Sequence, residues 1–95
     1  MCRRVRFRIT RHSGFAPPVD AMELLLRRLG AERDEVSFAM SGVEIAATSP
    51  DGEGDSTIRE ARIEVARRAI FDIIDEVCGS APELESDWFA VSYVA

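Results

Sequence analysis

Three acidic residues in a glycine-rich stretch have the spacing most suggestive of a ligand site. Asp51, Glu53 and Asp55 alternate with glycines, and acids at positions one, three and five open a calcium-binding EF-hand loop. Such a loop also needs a glycine at its sixth position and a bidentate glutamate at its twelfth, where this chain has Ser56 and Arg62. We therefore expect a solvated loop in front of a helix, with no metal ion and no cofactor.

Arg11, His12 and Ser13 form a second candidate, because a cation, an imidazole and a hydroxyl at a strand end can hold a phosphate or a carboxylate. His12 is the only histidine of the sequence, and spacing alone assembles no catalytic triad around it. Cys2 and Cys78 lie far apart and lack the short spacing of a metal site or a redox pair. Binding of a small anion, by an enzyme or by a simple receptor, is therefore the alternative function.

Arginines near the start of the chain form a third candidate, a cationic surface. Residues 4–10 alternate strictly between apolar and polar side chains, which predicts a strand with one buried face. The polar face carries a row of arginines: Arg4, Arg6 and Arg8. The row is neutralised either by nearby acids (Glu44, Glu85 and Asp87) or by the carboxylates of a partner.

Two helices must hold these segments in place, and both are predicted from apolar residues at helical spacing. The first covers residues 18–29 and ends at Gly30, where a glycine typically terminates a helix. The second runs from a capping box at residues 57–60 to Val77, with Gly79 as its terminating glycine.

A hairpin is predicted between the helices, because two alternating runs flank the dipeptide Ser41-Gly42. A two-residue turn at that dipeptide places Met40 opposite Val43. The residues expected to face the core are then Val36, Phe38, Met40, Val43, Ile45 and Ala47. The other face has small or polar side chains: Ser37, Ala39, Glu44, Ala46 and Thr48.

A β-rich segment at residues 88–94 completes the order strand, helix, strand, strand, helix, strand. This is the βαββαβ, ferredoxin-like arrangement of the α+β class. Right-handed crossovers put both helices on one face of a four-stranded antiparallel sheet, with the first and third strands central and the last strand beside the first. We expect residues 1–95 to form one domain.

Two aromatic residues are expected near the surface. Phe71 lies more than a quarter-turn from the apolar stripe of the second helix, so it either covers the edge of the core or anchors a partner. Alternation in the last strand buries Phe89 and Val91 and turns Trp88 outward, onto the face of the sheet without helices. The candidate interface comprises Arg4, Arg6, Arg8, Glu44, Phe71 and Trp88.

Composition narrows the class of function. The chain is 46% hydrophobic and 31% charged with a net charge of -5, which is typical of a soluble globular protein. No run approaches the ~20 apolar residues that span a bilayer, so we expect no membrane protein. Two cysteines far apart are typical of reduced thiols, so we expect a cytoplasmic location. The negative charge and the arginines at positions where RNA-binding sheets carry aromatics disfavour nucleic acid. The leading hypothesis is a small interaction or regulatory module that associates through its open sheet face, as a homodimer or with another protein.

Overall fold

The computed structural model describes residues 4–12, 20–30, 32–33, 35–50 and 59–95. Its elements in chain order are β1 (Arg4–Arg11), α1 (Ala21–Leu29), β2 (Glu32–Arg33), β3 (Val36–Ser41), β4 (Glu44–Pro50), α2 (Arg59–Gly79) and β5 (Phe89–Val94). A short 3-10 helix, Ser86–Trp88, precedes β5. The predictions for Cys2, Ser13, the acidic loop at 51–56 and the capping residue Thr57 lie outside the described residues.

The strands form one antiparallel sheet in the order β2-β3-β4-β1-β5. Apart from the two-residue β2, this is the predicted ferredoxin-like order, with β1 and β4 central and β5 beside β1. β2 was not predicted, since two charged residues have no detectable alternation. It turns into β3 through Glu35, whose φ of 68° is left-handed.

The core lies between one face of the sheet and both helices, which confirms the two-layer α+β prediction. Strict alternation in β1 buries Val5, Phe7 and Ile9, as expected from their spacing. The largest fully buried side chains come from every layer: Phe7, Ile9, Leu25, Ile45, Ile70 and Ile74. None of the described helices combines the length and the apolar character needed to cross a bilayer.

The hairpin between β3 and β4 corrects the predicted turn. Met40 pairs with Ile45 and Ser41 with Glu44, so the two turn residues are Gly42 and Val43. Val43 is therefore 77% exposed instead of facing the core. The register differs from the prediction by two residues, and because side chains alternate with a period of two, every strand residue keeps its predicted face.

The helix ends agree with the sequence at one glycine and not at the other. Gly30 follows α1 with a φ of 81° and its N–H donates to the carbonyl oxygen of Leu26 at 2.9 Å. Gly79 is the predicted terminating glycine of α2, but it is the last residue of the helix itself and its φ is not positive. α2 therefore extends two residues past the predicted end at Val77.

Candidate protein-binding surface

The side of the sheet away from the helices, called the open face below, consists of alternate residues of four strands. β1 contributes its arginine row, and the register places β4 on one side of it and β5 on the other. The other positions carry small or uncharged side chains, except for Glu44. They are Thr10, Ser37, Ala39, Ser41, Ala46, Thr48, Pro50, Ala90, Ser92 and Val94.

The three arginines of the row differ in their partners. Arg8 forms an ion pair with Glu44, in which its Nε lies 2.9 Å from Oε2, and its side chain remains 55% exposed. Arg4 reaches the backbone carbonyl oxygen of Glu35 with its Nη2, at 3.4 Å. Arg6 lies between them and has no ion pair or side-chain hydrogen bond within the part of the chain that the structure describes. Of the three arginines in the row, only Arg8 has a carboxylate partner among the described residues.

The immediate neighbours of Arg6 are short side chains. Thr48 lies opposite it on β4 and Val94 opposite it on β5, while Arg8 is flanked in the same way by Ala46 and Ser92. Small neighbours cannot cover a guanidinium group, so the guanidinium groups of the row project from a nearly flat part of the open face. A shallow depression of about 130 Å³ lies along Arg6, Arg8 and Val94.

Two acids that were expected to neutralise the row lie elsewhere. Glu85 and Asp87 belong to the turn around the 3-10 helix and are exposed. The N–H of His12 donates to the carbonyl oxygen of Trp88 at 2.6 Å, which places this turn beside the end of β1, away from Arg4 and Arg6. Glu44 pairs with the row as predicted.

The two aromatic residues of the predicted interface do not belong to the open face. Trp88 lies in the 3-10 helix, one residue before β5 begins, and its half-buried ring packs against the core. The prediction that it faces outward from a strand is therefore wrong, because strand alternation does not apply to a 3-10 turn. Phe71 is half-buried on α2 and packs against the core from the opposite layer, so it covers the core edge. The structure brings together Arg4, Arg6, Arg8 and Glu44, and leaves both aromatics outside the set.

The predicted anion loop is only partly within the described residues. Arg11 is exposed at the end of β1, His12 follows it, and Ser13 lies outside the described range. Arg11 borders a cavity of about 330 Å³ together with Asp20 and Val43. The Asp20 carboxylate opposes binding of an anion in this cavity, because like charges repel at short range.

The one cysteine within the described residues serves packing. Cys78 is 7% exposed on α2 and belongs to the core cluster. Burial, with a smaller contribution from the charge of Asp75, raises the pKa of its thiol to about 11. A protonated, buried thiol is neither a nucleophile nor a metal ligand at neutral pH. Among the described residues, His, Cys, Asp and Glu side chains form no cluster of three that could hold a metal ion.

Chemically, the open face presents a cationic strip, the guanidinium groups of Arg4, Arg6 and Arg8, surrounded by small side chains. Guanidinium groups bind carboxylates through paired hydrogen bonds, and they lose less hydration than an ammonium group when they do so. The sequence pattern predicted the row, whereas the small neighbours of Arg6 on β5 depend on the pairing of strands far apart in the chain.

Comparisons with protein-family models, with curated proteins and with solved structures found no match to this chain.

Proposed function

We propose that this protein is a small cytoplasmic interaction module whose open face binds a partner protein that presents carboxylates. The observation that carries the proposal is Arg6, a cation without a counter-ion among the described residues, held between Arg4 and Arg8 on a central strand. A central strand is fixed on both sides by its neighbours, so the backbone positions that carry the three arginines are held at a fixed spacing.

Charge complementarity selects the partner. The row carries three positive charges and Glu44 removes one, so the strip remains cationic on a protein whose net charge is -5. Opposite charge on a partner speeds encounter and fixes register, and each contact weakens as salt is added. Binding through this face is therefore expected to be salt-sensitive.

A symmetric face-to-face dimer suits the strip less well than an acidic partner does. Such a dimer uses the same patch on both copies, so it places one arginine row against another. Apart from Glu44, which already pairs with Arg8, a second copy offers acids only away from the strip, for example in residues 72–87, and a head-to-tail contact with those acids does not close into a dimer. We therefore assign the open face to a different, acidic protein.

Nucleic acid is the other polyanion to weigh. Sheets that bind single-stranded RNA stack bases on aromatic side chains, and the open-face positions around Arg6 hold Thr48, Ala46 and Val94. Cations without stacking surfaces retain phosphate attraction, but that attraction is reduced by the negative charge of the whole chain. An acidic protein therefore fits the site better.

Charge reversal within the row tests the proposal. We expect a fluorescent poly-glutamate peptide to bind the wild type, and Arg6→Glu combined with Arg8→Glu to weaken binding about tenfold or more, because attraction becomes repulsion. The matched control is Arg27→Glu with Arg68→Glu, which changes the net charge equally but alters exposed positions on α1 and α2. Circular dichroism verifies that each variant is folded.

The control separates a specific site from net charge. Equal weakening in both double variants would mean that only the total charge matters, and the open face would lose its assigned role. Tighter binding of a single-stranded RNA than of the peptide, with the same dependence on Arg6 and Arg8, would replace an acidic protein with nucleic acid.

A further inference from the structure

β5 forms one edge of the sheet, and its own residues carry none of the usual protection against pairing with another strand, as far as the structure describes the chain. Its sequence from Phe89 to Val94 contains no charge and no proline, and most of its residues favour β-structure. Natural edge strands are protected by charge, proline, a bulge or extreme shortness. The opposite edge shows this protection, because β2 has two residues and both are charged.

The hydrogen-bond pattern shows which backbone groups of β5 face away from β1. The bond from the N–H of His12 to the carbonyl oxygen of Trp88 identifies these two residues as a hydrogen-bonded pair of the β1–β5 register. Hydrogen-bonded pairs alternate in an antiparallel ladder, so Ala90 and Ser92 direct their N–H and C=O groups toward β1. Val91 and Tyr93 therefore direct theirs to the free edge.

These outward groups have no backbone partner among the described residues. The N–H of Phe89 is the exception, because it donates to the carbonyl oxygen of Ser86. Val91 and Tyr93 each present a free N–H and a free carbonyl oxygen, so the hydrogen-bonding groups continue along the edge without interruption. An edge of this kind is a template for one more strand.

We propose that β5 pairs in antiparallel fashion with β5 of a second copy, so that two sheets join into one across a two-fold axis at Ser92. In this register Val91 pairs with Tyr93 of the other copy in both directions, and every free N–H and C=O of the edge is bonded. Ser92 then faces Ser92 across the axis as a non-hydrogen-bonded pair.

The side chains that meet in this register are compatible. On the open face the contacts are serine with serine and Ala90 with Val94, all small and uncharged. The two arginine rows lie three strand spacings apart, or about 14 Å, which exceeds the screening length of about 10 Å at 0.1 M salt. Edge pairing therefore avoids the repulsion that a face-to-face dimer creates, and it leaves both open faces exposed on the same side of one sheet.

A cysteine at the axis tests the pairing directly. Non-hydrogen-bonded partners have Cα atoms about 4.5 Å apart, within the range that a disulfide spans. In a Cys2→Ser background, we expect Ser92→Cys to form a covalent dimer on mild oxidation with glutathione. The matched control is Ser41→Cys, which is also exposed on the open face but lies on β3, away from the β5 edge.

A second variant is designed to prevent the pairing between copies while adding a favourable contact within one copy. Ser92→Glu places a carboxylate opposite Arg8 within the chain and against a second carboxylate across the axis. By sedimentation, we expect the wild type to show a concentration-dependent monomer–dimer equilibrium and the folded Ser92→Glu variant to remain a monomer.

Two results would overturn the proposal. One is a wild-type protein that sediments as a monomer at all accessible concentrations; the other is cross-linking of Ser41→Cys as fast as Ser92→Cys. The proposal does not depend on the function assigned to the open face. Adding Arg6→Glu and Arg8→Glu to Ser92→Cys is expected to preserve the covalent dimer while weakening binding of poly-glutamate about tenfold or more, so the two proposals fail separately.

Discussion

At the scale of single residues, Arg4, Arg6 and Arg8 show how three equivalent positions in a pattern acquire different surroundings. Alternation gives all three the same face of β1. Glu44 lies diagonally across from Arg8 and the Glu35 carbonyl lies near Arg4, which leaves Arg6 without a partner among the described residues. An ion pair between Arg6 and a carboxylate of the proposed partner is therefore expected to contribute more to binding than an ion pair with Arg4 or Arg8.

Phe7 carries the prediction that best separates the two faces of β1. Its side chain is 1% exposed and its ring meets that of Tyr93 edge to face, with centroids 5.8 Å apart. Phe7→Ala is expected to lower the free energy of unfolding by about 3–5 kcal/mol, since the substitution leaves a cavity. Arg6→Ala, one residue away on the exposed face, should change it by no more than about 0.5 kcal/mol. Urea denaturation of both variants measures the difference, and similar losses would contradict the assigned faces.

Cys78 carries a prediction about reactivity. Because burial raises the pKa of its thiol to about 11, little thiolate exists near neutral pH, and iodoacetamide is expected to react slowly with a folded Cys2→Ser variant. Unfolding in urea should speed the reaction strongly. Equally fast alkylation with and without urea would contradict the buried position.

The same thiol affects stability at alkaline pH. Its pKa is about 11 in the folded protein against an ordinary value of 9.0, so the folded state favours the protonated form. This contribution is complete below pH 9.0 and is lost as the pH rises toward about 11, because the unfolded chain ionises first. Cys78→Ala should remove this part of the pH dependence of thermal unfolding.

At the scale of elements, the β3–β4 hairpin is determined by its turn as much as by its strands. Gly42 has a φ of 66° in the two-residue turn, a conformation that glycine adopts without steric cost. Ser41 pairs with Glu44 as the last strand residue before the turn. Placing the glycine first in the turn moves Val43 out of the core and shifts the register by two.

Two glycines provide a matched test of that turn. A Cβ added at Gly42 or at Gly79 meets no atom within 4 Å, so steric clash distinguishes neither. Gly42→Ala is nevertheless expected to cost about 1–2 kcal/mol, since alanine is strained at positive φ. Gly79→Ala, in the last turn of α2, should be neutral or stabilising by up to about 1 kcal/mol. Thermal unfolding compares them, and equal effects would argue against a left-handed Gly42.

At the scale of the whole molecule, the cationic strip and the free edge of β5 lie on two different surfaces of the protein. The cationic strip lies on the open face, while the uncharged free edge is β5. A partner on the face and a second copy on the edge can therefore bind together. Two copies would present two strips side by side, running in opposite directions, which raises avidity when the partner carries repeated acidic segments.

Small-angle scattering measures the proposed assembly as a whole. The Cα radius of gyration of one copy is 13.4 Å, and two copies joined side by side must have a larger value. We expect the wild type to exceed the single-copy value increasingly as its concentration rises, while Ser92→Glu stays close to it. Ser41→Glu, which adds the same charge away from the edge, should behave as the wild type does. A wild-type value independent of concentration and equal to that of one copy would contradict edge pairing.

The sequence by itself determined the secondary structure order, the face of almost every strand residue and the ferredoxin-like topology. The elements and their faces follow from local periodicity, which is two residues in a strand and 3.6 residues in a helix. The topology follows from the right-handedness of the crossovers. The buried set of β1 and the arginine row opposite it were recognisable for that reason, because neither depends on a distant part of the chain.

Only the tertiary structure decided the hairpin register, the position of Trp88 and the acid that pairs with the row. A shift of two residues preserves the faces of a strand, so periodicity cannot detect it, and the backbone of Gly42 settles it. Trp88 looked like a strand residue, but the 3-10 turn before β5 releases it from alternation and packs it on the core. Glu44 was one of three candidate acids, and it pairs with Arg8 because β4 joins β1 from a distant part of the chain. The ion pair and the packing of Trp88 depend on contacts between distant parts of the chain, and the hairpin register depends on the backbone conformation of its turn, neither of which local periodicity encodes.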